Sequence, residues 1–192
     1  MRTTRLLVSI LALSGAPLHA QNLVLNGDFA DSLVGWETDG GANIIAQWTP
    51  ADANGSATSG SAQIANLYAT AEQGVVIQQC VPVNSGQTYT YGGKVRIPSG
   101  SGQTLTNNAA MSLRWYSGPD CTTPNGGPTT TGGTPQSFNV WVSQTSTVSA
   151  RAGARSAHVR ALVAKIPAGG GFTAQFDDIT MTSPSIFNNG FD

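Results

Sequence analysis

Basic and aromatic residues recur in one phase of several strand-like segments of this chain. They are Arg96, Arg114, Tyr116, Trp141 and Arg160, and each falls opposite to the apolar alternation of its segment. A guanidinium donates hydrogen bonds to hydroxyls and pairs with carboxylates, and an aromatic ring stacks on an apolar C–H surface. If the segments share one sheet, these residues form a single face. We expect such a face to bind a poly- or oligosaccharide, acidic sugars included.

A structural explanation of the same pattern stays open. The outer face of any half-solvated sheet carries Lys, Arg and Tyr, and the segments can also lie in different sheets. Trp141 is the most informative residue of the set, because an outward tryptophan needs either a ligand or a covering loop. Lys94 and His158 occupy the same outward phase and extend the predicted basic face.

Two neighbouring acids interrupt the last strand-like run, which extends from Phe172 to Met181. Its apolar residues change phase at Asp177 and Asp178, which indicates a β-bulge or burial on both faces. Adjacent strand residues normally point to opposite faces, so the pair is poorly placed for acid–base chemistry across a glycosidic bond. The sequence also has no nucleophile elbow, His-Glu-x-x-His motif or phosphate loop. We therefore predict no enzyme, with a glycan-active hydrolase as the less favoured alternative.

The chain has two cysteines, Cys80 and Cys121. In an exported protein such a pair favours one disulfide bridge, because a free thiol survives poorly outside the cytosol. Two unpaired thiols are the alternative. The two cysteines and two histidines are too widely spread along the sequence for a typical zinc site.

Residues 1–20 have the three parts of a secretory signal peptide. Arg2 and Arg5 form a basic start, Leu6–Leu13 an apolar core, and Ala20 ends a cleavage site in which Leu18 replaces the preferred small residue. This apolar core is too short for a membrane anchor, and no later apolar run approaches ~20 residues. We therefore expect a secreted protein, extracellular or periplasmic, without membrane insertion.

The composition favours a single β-rich domain. The 172 residues after the signal peptide suffice for one core, and charged residues make up only 10% of the chain against a usual ~25%. Without the signal peptide, seven basic residues face ten acidic ones, a net charge of −3. That charge gives no reason to expect nucleic acid as a partner. We expect a monomer.

Apolar alternation and turn signals predict about nine strands and no long helix. The predicted strands are 22–29, 44–48, 61–66, 74–83, 88–97, 108–116, 138–148, 156–165 and 172–181. Asn84–Gln87 is predicted to close a hairpin, and Phe138, Val140 and Val142 to point into the core. This pattern is typical of an all-β, two-sheet antiparallel jelly-roll β-sandwich. We assign the domain to residues 21–182 and a short tail to 183–192.

The two ends of this domain resemble a known family. Asn22–Phe29, followed by Gly35 and Trp36 and much later by Phe176–Ile179, is similar to carbohydrate-binding modules of the family 4, 9 and 22 type, which are galactose-binding-like jelly rolls. The resemblance implies a non-catalytic module that binds a sugar. A cell-surface adhesion or interaction protein with the same fold and no sugar ligand is the alternative.

The resemblance also implies a structural calcium ion near Asp28, Asp177 and Asp178. Calcium takes hard oxygen ligands from carboxylates and turn carbonyls, which this set offers. The family often has an acidic residue directly after the Phe of its opening motif, where this chain has Ala30. In the alternative without an ion, Asp28 caps the turn, and one acid of the pair faces solvent while the other accepts backbone hydrogen bonds.

Overall fold

The structure, a computed structural model, describes residues 20–70, 73–100, 102–166 and 170–183. These residues form ten β-strands and, apart from a three-residue 3-10 turn at Gly41–Asn43, no helix. The strands are β1 Glu37–Asp39, β2 Ile44–Thr49, β3 Ser61–Asn66, β4 Gln73–Pro82, β5 Thr88–Arg96, β6 Asn108–Tyr116, β7 Thr129–Thr131, β8 Val142–Ser149, β9 Ser156–Lys165 and β10 Phe172–Thr182. Nothing helical in the described ranges is long and apolar enough to cross a membrane.

The strands form two five-stranded antiparallel sheets. Sheet I has the order β1-β4-β9-β6-β7, and sheet II has the order β2-β3-β10-β5-β8. Inward side chains of both sheets fill the space between them, and the largest fully buried ones include Trp115, Tyr91, Phe176, Ile77 and Met111. The prediction of an all-β, two-sheet antiparallel sandwich is confirmed.

Most strands lie where the alternation of the sequence predicts them. Segments 61–66, 108–116 and 156–165 match β3, β6 and β9 at both ends. Residues 22–29 are predicted as a short strand that ends in a turn at Asn26–Asp28. The strand is wrong, since the segment makes one isolated bridge, from Asn22 to Thr182. The turn is present, with positive φ at Asn26 and Phe29. β1 and β7 have no predicted counterpart, because three residues are too few to show a period of two.

The predicted hairpin between β4 and β5 is also wrong. The turn itself is present, since the Gln87 amide donates to the Asn84 carbonyl at 3.1 Å and Gly86 has a φ of 75°. However, β4 belongs to sheet I and β5 to sheet II. The turn therefore carries the chain from one layer of the sandwich to the other, and the apolar faces of the two strands meet across the core.

The segment before β8 does not pack as its pattern predicts. Phe138, Val140 and Val142 are 37%, 50% and 36% exposed, so their predicted core positions are wrong. β8 begins only at Val142, and the core side of this strand carries the buried Gln144 and, further along, the partly buried Val148. Its amide group hydrogen-bonds backbone atoms of β6 in the opposite sheet, which satisfies a glutamine inside the core.

The final strand contains the predicted bulge. The register of β10 against β5 shifts between Asp177 and Thr180, and Asp178 has a positive φ of 49°. The opening turn packs against this bulge, because the Ile179 amide donates to the Gly27 carbonyl at 2.8 Å. A Cβ on Gly27 would lie 2.0 Å from the Ile179 carbonyl oxygen, so the contact requires glycine. The two ends of the domain therefore meet, as the family resemblance implies.

The predicted signal peptide, apart from Ala20, and the predicted tail beyond Ser183 lie outside the described residues. The assigned domain limits, 21 and 182, remain predictions. Among the described residues, the last one that pairs is Thr182, which bridges to Asn22 and pairs with Thr90 of β5.

Candidate functional site

The residues predicted to form one binding face lie on two opposite sides of the sandwich. Arg114 and Tyr116 lie on β6 and Arg160 on β9, and both strands belong to sheet I. Arg96 ends β5 in sheet II, and Trp141 directly precedes β8 of the same sheet. The assumption of a single face is therefore wrong, because β5 and β6 enter different sheets. The part of each residue in ligand binding remains a prediction.

A row of polar side chains crosses the outer surface of sheet I from edge to edge. Its members are cross-strand neighbours, one from each strand, in the order Glu37, Gln78, Arg160, Ser112 and Thr130. Neighbouring strands are ~4.8 Å apart, so the row is about 19 Å long. The row, together with the adjacent outward residues Arg114, Tyr116 and His158, is the arginine face.

Arg114 rests on an aromatic pair. Its guanidinium carbon lies 5.7 Å from the centroid of the Tyr116 ring, which is a cation–π distance. The Tyr116 hydroxyl and His158 Nδ1 are hydrogen-bonded at 2.9 Å, and the two rings meet edge to face. Tyr116 and His158 are only 6% and 8% exposed. The pair therefore supports Arg114 from below and offers little open ring surface to a ligand.

Three buried polar atoms of the arginine face have no hydrogen-bond partner among the described residues. They are Ser112 Oγ, Arg114 Nε and Arg160 Nε. Buried polar groups in native proteins are almost always paired with protein or water, and each exception calls for an explanation. Ser112 and Arg160 are direct cross-strand neighbours, and Arg114 lies on the same strand as Ser112. These three atoms therefore lie close together on the outer side of sheet I.

The charge on this face comes from its arginines. Burial lowers the pKa of His158, and the nearby Glu37 and Asp39 oppose that shift while Arg160 and Arg114 reinforce it. His158 is therefore neutral at pH 7. The arginine face thus has two positive groups at its centre and two carboxylates at the β1 edge of sheet I.

The predicted disulfide between Cys80 and Cys121 is confirmed. Cys80 lies in β4 opposite His158 of β9, so the bridge fastens the loop after β6 beside the arginine face. These three residues are the one group in the described ranges with three potential metal-ligating side chains within 4.8 Å of one another. Since disulfide sulfurs are not thiolates, the group is not a metal centre as it stands.

The acidic pair of β10 fastens the loop between β2 and β3. Asp177 is fully buried, and its two oxygens accept hydrogen bonds from the Ala53 and Asp178 amides, both at 2.7 Å. Burial nevertheless raises the pKa of Asp177 from 3.8 to about 6. Asp178 pairs with Lys94 at 2.9 Å and accepts from the Asn54 amide group. One acid thus accepts backbone hydrogen bonds, as the alternative without an ion expects.

The predicted calcium ligands are only partly gathered. Asp28 lines a cavity of about 410 Å³ together with Asp178. Within the described residues, however, the carboxylates of Asp28, Asp177 and Asp178 do not all lie within 4.8 Å of one another. One ion bound by all three does not fit this geometry. Asp177 is the buried acid of the set, and both of its oxygens already accept backbone hydrogen bonds.

On the opposite side of the sandwich, Arg96 and Trp141 contact each other. The Arg96 guanidinium carbon lies 5.9 Å from the centroid of the Trp141 ring. Both side chains are half-buried. The outward orientation predicted for Trp141 agrees with this contact, since Arg96 stands in the outward phase of β5.

Sequence reasoning did not assign Gln78, Ser112 or Glu37 to the site. Gln78 and Ser112 stand in the outward phase of their strands, which is the same signal that identifies the arginines. An uncharged side chain on an outer face gives no chemical cue by itself, however. Glu37 lies in a three-residue strand that no period reveals.

The geometry defines a two-layer β-sandwich with a hydrogen-bonding row across one outer surface. No protein-family model matches the chain, and no curated protein matches it in sequence. Solved structures do match, and several of them are carbohydrate-binding modules. The chain has the jelly-roll fold of these modules, which confirms the resemblance at the level of the fold.

Three matches illustrate the likeness. The CBM22-1 xylan-binding domain of Paenibacillus barcinonensis Xyn10C gives a TM-score of 0.58 at 14% identity, over 88% of this chain and 97% of that domain. A family 16 carbohydrate-binding module gives 0.53 at 13% identity, over 84% and 99%. The enzymatically active domain of bacteriophage CBA120 tailspike protein 4 gives 0.62 at 14% identity, over 85% of this chain but only 21% of that one.

Proposed function

We propose that this protein is a secreted, non-catalytic carbohydrate-binding protein that binds a poly- or oligosaccharide on the arginine face. The observation that carries the proposal is the arginine face on sheet I, in which three buried polar atoms lack a partner within the described structure. A ligand rich in hydroxyl groups would supply such partners. The fold supports the proposal, since a xylan-binding domain and other carbohydrate-binding modules share it.

Arg114 and Arg160 are expected to make the strongest contacts. Both are half-buried, so part of their hydration is already lost when a ligand arrives. A hydrogen bond to a charged donor contributes ~1.5–3 kcal/mol, about twice the value of a neutral one. Tyr116 holds Arg114 by its ring and is held in turn by His158. We assign Tyr116 a positioning role.

The two arginines favour sugars that carry a carboxylate. A guanidinium matches a carboxylate with two parallel hydrogen bonds, which a hydroxyl cannot offer. Neutral His158 contributes no charge, and Glu37 and Asp39 at the β1 edge would repel an acid there. An acidic sugar is therefore expected over β9 and β6, at the centre of the row. Neutral sugars are expected to fill the positions on either side.

The disulfide supports export, and the state of the acidic pair supports a non-catalytic role. A disulfide is typical of proteins outside the cytosol. In the acidic pair of β10, Asp177 is fully buried and Asp178 is held by Lys94, so neither is free to act as an acid or base. The alternative function is that of a cell-surface interaction protein with no sugar ligand, which an absence of sugar binding would favour. We expect the protein to act as a monomer.

Affinity electrophoresis tests the proposal. The full chain is run through native gels that contain xylan as a neutral probe or polygalacturonate as an acidic one. Wild type should be retarded, most strongly by polygalacturonate, and the retardation should weaken as salt is added. Arg114→Ala and Arg160→Ala should each weaken binding ~10-fold or more, as the loss of one charge-assisted hydrogen bond predicts.

Arg155→Ala is the matched control. Arg155 is exposed and lies just before β9, outside the arginine face, so its removal changes the net charge equally. If Arg155→Ala weakens binding as much as Arg160→Ala, the attraction is non-specific. Unretarded migration of wild type in both gels defeats carbohydrate binding by these probes and favours the interaction protein.

We also propose a structural calcium ion at the bulge, bound without the full set of three carboxylates that the resemblance implies. When bound, the ion would supply the positive charge that the buried Asp177 carboxylate lacks. The side chain of Asp178 is held by Lys94 and Asn54. The backbone of the β2–β3 loop lies next to Asp177, since the Ala53 amide donates to its carboxylate. The protein's own contribution is to hold this loop against β10.

A further inference from the structure

The outer surface of sheet II carries a second polar row, which the proposed function does not use. Neighbouring strands contribute Gln47, Gln63, Gln175 and Arg96, and each adjacent pair in this order is a cross-strand pair. Trp141 completes the row at the β8 edge, where its ring contacts Arg96. At ~4.8 Å per strand, the row is about 19 Å long, as on sheet I. These five residues are the glutamine row.

The centre of the glutamine row is buried but not satisfied. Gln175 is only 5% exposed, and its Nε2 donates to Gln63 Oε1 at 3.1 Å. In the part of the chain that the structure describes, Gln175 Oε1 and Arg96 Nε have no hydrogen-bond partner. Such atoms are rarely left unpaired in a native protein. A hydroxyl donates to an amide oxygen and accepts from a guanidinium, which are the two partners that Gln175 Oε1 and Arg96 Nε lack.

Arg96 is held in place from two sides. Its guanidinium rests on the Trp141 ring, and its Nη2 donates to Asn139 Oδ1 at 3.3 Å. Asn139 also accepts from the Ser99 amide at 3.0 Å and has a φ of 62°, so its side chain fixes the corner before β8. No carboxylate among the described residues forms an ion pair with Arg96. A positioned guanidinium without a countercharge is available to a ligand.

We propose that the glutamine row is a second carbohydrate-binding site, so that one molecule holds two glycan chains on opposite faces. The ligand class rests on the proposed function, but the site does not, because the two rows share no residue. Primary amides offer a donor and an acceptor at each of three strands, which matches the hydroxyls of a neutral sugar. The indole offers an apolar surface for its C–H face. With one arginine and three amides, the row should prefer neutral glycans.

Because the two rows lie on opposite outer surfaces, one protein molecule should cross-link two glycan chains. The rows lie on the outer surfaces of two stacked sheets and face away from each other. Two separate glycan chains can therefore be bound at once, and binding to a dense polysaccharide surface gains avidity. A protein with the arginine face alone would bind such a surface without bridging its chains.

A bead assay with the full chain tests the second site. Beads coated with xylan or polygalacturonate are loaded with protein, washed, and offered either polysaccharide with a fluorescent label. Wild type on polygalacturonate beads should capture labelled xylan. Trp141→Ala should load onto these beads as wild type does but capture ~10-fold less label, as the loss of one aromatic contact predicts. Gln175→Ala combined with Trp141→Ala should abolish capture.

The control is Ser149→Ala, an exposed outward residue at the far end of β8 on the same sheet face. It should load and capture as wild type does. Trp141→Ala alone leaves the buried glutamine in place, so a folding defect of the double variant does not decide the outcome. If beads load with wild type but capture no label, or if Trp141→Ala captures as much as wild type, the second site is refuted. If wild type loads onto neither kind of bead, both the proposed carbohydrate binding on the arginine face and the second site are refuted.

Discussion

Removal of the disulfide should cost the fold about 4 kcal/mol of unfolding free energy. The bridge joins Cys80 in β4 to Cys121 in the loop after β6, 41 residues apart. A cross-link of this span removes loop-closure entropy of about 13 cal/mol/K from the unfolded chain, or about 4 kcal/mol at 25 °C. Single domains unfold with only ~5–15 kcal/mol. The bridge therefore accounts for a large part of the expected stability.

The folded structure should change little when the bridge is removed. The Cys121 amide donates to Ser156 Oγ at 2.9 Å, and the Gly118 amide donates to the Thr122 carbonyl at 3.0 Å. The Asn125 amide donates to the Trp115 carbonyl at 2.8 Å. These bonds hold the loop against sheet I without the sulfurs. The loss of unfolding free energy should therefore come from the greater entropy of the unfolded chain. Sugar binding under native conditions should persist.

Urea unfolding of a Cys80→Ala, Cys121→Ala double variant, followed by tryptophan fluorescence, measures the loss. With an m-value of ~2 kcal/mol/M, the midpoint should fall by about 2 M relative to oxidised wild type. Wild type with its bridge reduced is the control and should unfold with the variant. A midpoint shift below ~0.5 M at an unchanged m-value would refute the entropic reasoning, because about 4 kcal/mol cannot then come from loop closure.

Three further predictions concern the bulge, the arginine face and the opening turn. A chelator should lower the Tm of wild type, and added calcium should restore it, because an ion that binds only the folded state stabilises it. The Tm of Asp177→Asn should respond to neither addition. An unchanged Tm of wild type would refute the calcium proposal. Because burial lowers the pKa of His158, the unfolded state binds this proton more tightly, and the stability that His158 contributes should fall as pH drops below ~6.5. Asp177, with its folded pKa raised to about 6, opposes this fall, but equally in wild type and in a His158 variant. Urea titrations at pH 5 and 7.5 should show a smaller fall for His158→Gln, and equal falls contradict the assignment. Gly27→Ala should lower the free energy of unfolding by more than ~2 kcal/mol, since the added Cβ would meet the Ile179 carbonyl. Gly133→Ala, where the added Cβ has open space, is the control. Equal urea midpoints of the two variants would refute the steric argument.

The bulge and the opening turn could be predicted from sequence because each leaves a local mark, whereas their contact was implied only by the family resemblance. The phase change at Asp177 and Asp178 is visible in ten residues and requires a bulge or burial on both faces. The opening Asn-Gly-Asp stretch indicates a turn by its composition. The structure joins the two through Gly27 and Ile179. The ion pair of Asp178 with Lys94 leaves no such mark, because it depends on the register of β10 against β5.

The division of the predicted binding residues between two faces could not be predicted in this way. The phase within each strand was sufficient to place Arg96, Arg114 and Arg160 on outer surfaces. Which outer surface each one occupies depends on the sheet that its strand joins. A four-residue turn that closes a hairpin and one that crosses the core have the same composition, as Asn84–Gln87 shows. Long-range pairing decides between them, and no local pattern encodes it.

The pairing that separates the arginines also gives each of them its neighbours. Arg160 stands between Gln78 and Ser112, and Arg96 stands beside Gln175, which is far away in sequence. Uncharged residues at such positions look like ordinary surface until the sheets are known. They supply most of the hydrogen-bonding groups in both rows, whereas the arginines supply the charge. Specificity for a particular sugar should therefore depend on the amides and hydroxyls, and affinity on the guanidiniums.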